Sequence, residues 1–124
     1  MVSIEIADHE LIIHNLGWDK ILAFRGEVRV PLAHVADVRA RPAEAYFDEV
    51  IIDPSIQGIG VYRPGKAAIG TVALRDGRSF YNVRDPRRAI AIDLIGERLR
   101  HLVVEVEGEA PEATVRRIEK AVGV

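Results

Sequence analysis

The chain reads as mainly β with a single C-terminal helix, an antiparallel β-barrel or sandwich capped by an amphipathic α-helix. Three observations predict this. Short runs of alternating apolar residues recur from Val2 to Val106, the period of half-buried strands. Turn chemistry separates those runs, most clearly at Pro64-Gly65 and Asp76-Gly77. Only after Pro111 does the spacing become helical, with Val115, Ile118 and Val122 on one face.

Taken in order, Val2, Ile4 and Ile6 alternate with Ser3 and Glu5 and predict a first strand. Asp8-His9-Glu10 is a tight turn without the expected glycine, and Leu11–Leu16 returns as the second strand of a hairpin. Residues 17–24 fit either a strand or one to two helical turns, because Trp18, Ile21 and Leu22 share a helical face. Arg25-Gly26-Glu27 turns the chain into a strand carrying Val28, Val30 and Leu32. Pro31 in that run has no amide hydrogen to donate, which assigns it to an exposed edge or a strand end. A further strand, Val35–Ala40, stops at Arg41-Pro42.

Residues 42–58 keep neither period and form the long irregular connection of the fold. Tyr46, Phe47, Val50, Ile51 and Ile52 give it too much apolar surface for a disordered linker. It packs onto its own barrel or onto another chain, which makes Tyr46, Phe47, Ile51 and Ile52 the protein-interaction candidates.

Beyond it, Ile59–Tyr62 and Ala68–Leu74 are strands around the Arg63-Pro64-Gly65-Lys66 turn. Asp76-Gly77 then closes a hairpin onto the strand that carries Phe80, Asn82 and Arg84. Asp85-Pro86-Arg87-Arg88 is the next turn. A last hairpin, Ala89–Ile95 and Leu99–Val106, folds across Gly96-Glu97-Arg98. On this alternation Glu105 and Glu107 face water opposite Val104 and Val106.

The run GVYRPGKAAIGT of Gly60–Thr71, RSFYNVR of Arg78–Arg84, RAIAIDL of Arg88–Leu94, and the closing LVVEVE with its PEATV helix resemble small uncharacterised bacterial proteins with a pleckstrin-homology-like domain. The resemblance covers most of the chain with its elements in order. It implies a barrel with a C-terminal helix and no catalytic motif. Wider members of that fold bind phosphoinositides or peptides; their basic lipid-binding signature is not visible here as a motif.

The 124 residues, 48% of them hydrophobic, suffice for one domain with its own core, 1–124. No cysteine is present, which excludes disulfides and thiolate chemistry and fits a reducing, cytoplasmic setting. No apolar run reaches the roughly 18 residues of a membrane span, and the acidic N-terminus is unlike a signal peptide, so integral membrane association is not expected. His9, His14, His34 and His101 lack metal-ligand spacing, and Ser3, Ser55 and Ser79 lack a nucleophile-elbow context. The reading is therefore no enzyme, no cofactor and no metal.

Charge is uneven. Residues 59–88 hold seven bases against two acids, whereas residues 1–58 hold five against ten. If Arg63, Lys66, Arg84, Arg87 and Arg88 converge, they form an anion-binding candidate for phosphate-bearing headgroups, at about 1 kcal/mol per base near an anionic surface. The alternative is solvated turn residues paired with acids. No recognition helix or stacking aromatics support a nucleic-acid partner. The leading expectation is a noncatalytic binding or scaffold domain acting through protein contacts and self-association. Weak anionic-lipid or phospholigand binding is one alternative. A carrier or enzyme with a pocket under the 42–58 loop is the other.

Overall fold

Among the described residues nine strands and one helix follow the alternating pattern closely, and the strands form two sheets that do not close into a barrel. The computed structural model describes residues 1–16, 26–42, 57–63, 67–74 and 77–123, and only the backbone of 57–63, 67–70 and 72–74. The strands are β1 (Val2–Ala7), β2 (Glu10–Asn15), β3 (Glu27–Pro31), β4 (Val35–Ala40), β5 (Gln57–Arg63), β6 (Ala67–Leu74), β7 (Gly77–Val83), β8 (Ala89–Leu94) and β9 (Leu99–Glu105), followed by α1 (Pro111–Val122). The smaller sheet has the order β1-β2-β3 and the larger β4-β8-β9-β7-β6-β5. Among the described residues an isolated bridge, Val2 to Val106, links β1 to the residue just after β9.

The tight turns explain the hairpins. Ala7 pairs with Glu10, so β1 and β2 join through two residues, Asp8 at φ 52° and His9 at φ 64°. Two consecutive left-handed residues match the twist of a hairpin, and a short polar side chain tolerates them without glycine. In the β6–β7 hairpin Leu74 pairs with Gly77, the last pair of that ladder; Asp76 of the expected Asp76-Gly77 turn lies outside the described residues. Gly77 opens β7 at φ +132°, a conformation that favours glycine.

One pairing departs from the antiparallel expectation. β9 inserts between β7 and β8, antiparallel to β8 and parallel to β7. The physical reason lies in burial. Leu102 to Val106 are all buried, as are Ser79 to Val83 on β7 and Ala89 to Ile92 on β8. Strands dry on both faces belong in the middle of a sheet. This corrects the expectation for Glu105, which is 2% exposed rather than on a wet face. Its carboxylate is compensated there: Oε1 accepts the backbone N–H groups of Arg84 at 2.9 Å and Asp85 at 3.0 Å.

The core lies between the sheets. Phe80, Ile90, Ile92, Leu102 and Val104 on one face of the larger sheet join Val2, Leu11, Ile13, Val28 and Val30 of the smaller, with Ile118 of α1. Fully burying a side chain such as Ile118 stabilises by about 1.5–3 kcal/mol. Pro111 starts α1, and Gly123, at φ 87°, ends it by donating its N–H to the carbonyls of Glu119 and Lys120. Two side chains moor the helix: Arg117 donates to the Ile4 carbonyl of β1 at 3.0 Å, and Glu112 pairs with Arg41 just beyond β4.

Candidate functional site

Sheet edges are where a β protein meets other chains, because an outer strand carries unpaired N–H and C=O groups. The four edges among the described residues differ in sequence. β3 alternates buried Val28 and Val30 with exposed Glu27, Arg29 and Pro31, which is edge protection by charge and proline, as Pro31 predicts. β4 carries Asp37 and Arg39 and lies against α1. β1 is bridged to Val106, and its Val2 carbonyl accepts the Glu107 N–H at 2.9 Å. Among the described residues β5 has no such bridge, and its one charge stands at its end. Its sequence QGIGVYR holds no proline, no acid and no lysine, and Arg63 is its terminal residue. Among the described residues β5 pairs with β6 alone, over all seven positions from Gln57–Ala73 to Arg63–Ala67.

Of the sequence-predicted interaction residues, Tyr46, Phe47, Ile51 and Ile52 lie outside the described residues, as does Lys66. Of Arg63 only the backbone is described. Arg84 precedes a one-turn 3-10 segment, Pro86–Arg88, that contains Arg87 and Arg88, and all three are exposed. Asp85 occupies the centre of that group. It accepts the Arg87 N–H at 3.0 Å, Arg87 Nε at 3.0 Å and a second guanidinium nitrogen at 3.2 Å. The Arg87 side chain, then its backbone N–H, hold the Asp85 carboxyl below its usual range. An anion at this turn competes with a carboxylate already in place.

The larger sheet also assembles a polar row that linear reasoning missed. Across its six strands one line of register partners runs Asp37, Asp93, His101, Ser79, Val72, Gly58. His101 Nδ1 lies 2.9 Å from Asp93 Oδ1, and Arg39 donates to the same oxygen at 2.9 Å. Ser79 is 1% exposed, and its hydroxyl has no hydrogen-bond partner among the described residues. Serine, histidine and aspartate are the types of a nucleophilic triad, but the nucleophile–base hydrogen bond is not formed and Asp93 is shared with Arg39. What the geometry provides is a polar seam across β4, β8 and β9. The signal was beyond local reading, because Ser79 neighbours His101 only through the parallel insertion of β9.

The other paired histidines follow the same chemistry, His14 at 2.8 Å from Glu5 and His34 at 3.1 Å from Glu97. Among the described residues no group of three or more histidines and acids is placed to hold a metal ion, and no helix is long and apolar enough to cross a membrane. Comparison with protein-family models, curated proteins and solved structures finds no match to this chain.

Proposed function

We propose that this chain is a noncatalytic protein-binding domain, of the pleckstrin-homology-like kind its sequence resembles, that recruits an extended polypeptide segment as an added strand on β5. The observation that carries this is the contrast between edges: charge, proline, a bridge or α1 attends β1, β3 and β4, whereas among the described residues β5 has no proline, no bridge and a single charge at its end. Strand addition takes affinity from main-chain hydrogen bonds and specificity from alternate side chains. The helix-flanked sheets support the resemblance; the unclosed sheets and the parallel β7–β9 pair are this chain's own departures from it. The Asp85–Arg87 pairing favours protein contact over headgroup binding at that turn.

The test is a screen of displayed random heptapeptides against the wild-type chain, Ile59→Pro and Gly60→Pro. Adjacent positions in a strand point their amides to opposite sides, so one of the two prolines removes an outward donor. Peptides enriched on the wild type should lose binding on at least one variant whose melting temperature is preserved. Enrichment indifferent to both variants, or none at all on a monomeric chain, removes the reading.

A further inference from the structure

Resting on the strand-addition reading, we infer that the segment β5 takes is β5 of a second copy, running antiparallel about Gly60 so that two six-stranded sheets become one. The register carries this. Antiparallel pairing centred on Gly60 uses the whole strand and sets Gln57 opposite Arg63, Gly58 opposite Tyr62, Ile59 opposite Val61 and Gly60 opposite itself. Each line is chemically matched. Ile59 and Val61, whose register rows lead through Thr71 to Phe80, Leu102 and Ile92 and through Ile69 to Asn82 and Val104, set four apolar residues together at the seam. Polar Gln57–Arg63 pairs close that group at both ends. At the alternate positions Tyr62 stands opposite Gly58 in register, the aromatic-across-glycine pairing that compensates an edge glycine's lack of side chain.

The charges agree with this arrangement. Arg63 carries the only charge on β5, and the two-fold axis puts it against an amide rather than against its own copy, which lies about 20 Å away at strand rise. Like charges directly opposite would oppose pairing, and this register has none. A parallel in-register arrangement would stack Arg63 on Arg63. Isologous contacts of this kind close into a dimer instead of growing into a filament.

The chain contains no cysteine, so single introduced thiols report the register without background. Light scattering over a concentration series should give the mass of two chains. Under a short thiol crosslinker Gly60→Cys should join to itself, since directly opposed Cβ atoms lie about 5 Å apart. Arg63→Cys alone should remain uncoupled, and a mixture of Gln57→Cys with Arg63→Cys should couple. The mixed pair keeps the test sound if Gly60→Cys fails to fold. A one-chain mass at every concentration, or coupling of Arg63→Cys alone with the mixed pair silent, overturns the inference. If the chain is monomeric while heptapeptides still depend on β5, strand recruitment stands and self-pairing falls. If those peptides are indifferent to β5 as well, both fall.

Discussion

Glu109, two residues before the first residue of α1, accepts the Thr114 hydroxyl at 2.7 Å and an Arg117 guanidinium nitrogen at 3.0 Å on one oxygen. Arg117 also holds the Ile4 carbonyl, so this carboxylate steadies the contact between helix and β1. The Arg117 bond first, and the Thr114 bond second, keep the Glu109 carboxyl below its ordinary value of 4.5. A carboxyl that titrates lower in the folded than in the unfolded chain stabilises the fold above its ordinary pKa. That stability disappears as pH falls through the folded value. Glu109→Gln should therefore lose about 1 kcal/mol at pH 7. Its unfolding free energy should fall less steeply with acid than that of the wild type in urea titrations from neutral pH downward. Parallel acid limbs would remove this account. Residue-scale chemistry of this sort was only partly legible. Pro111 and the apolar face of α1 stand in the sequence, whereas the buried Glu105, compensated by backbone amides of a different turn, depends on which strands flank β9.

At the scale of elements, alternation and turn chemistry were enough wherever neighbours in sequence are neighbours in space. The β1–β2, β6–β7 and β8–β9 hairpins follow that rule, and Pro31 marks a true edge. The polar row did not follow from it, because Ser79, His101 and Asp93 share a line only after β9 has been placed between β7 and β8. The signal for that placement was Leu102-Val103-Val104, apolar on both faces, the mark of a central strand. The hairpin that supports β5 depends on β7 beginning correctly. A Cβ at Gly77 would meet the Arg100 side chain, and φ +132° is strained for any other residue. Gly77→Ala should cost about 1–3 kcal/mol. Chemical denaturation reads this directly, and an unchanged midpoint would mean that the turn relaxes without strain.

For the whole molecule, the separation of charge and the proposed mode of association make opposite claims about salt. Exposed charges more than about 8 Å apart are largely screened at physiological ionic strength, whereas a main-chain ladder is not. The two-chain mass should therefore persist from low to physiological salt and in the double variant Arg87→Glu, Arg88→Glu. Dissociation with either would place the contact at the basic turns instead.

The insertion of β9 also dictates an order of events in time. β7 and β8 never touch each other as a ladder; each waits for a strand that follows both in the chain. During synthesis, residues up to Leu94 can form β6–β7 and the small sheet, but the centre of the larger sheet stays open until Leu99–Glu105 has emerged and slid between its two neighbours. Non-local, partly parallel pairing of this kind is slow to form. A nascent chain held short of β9 exposes two interior strands as edges, so the molecule is most prone to aggregation immediately before its last strand arrives.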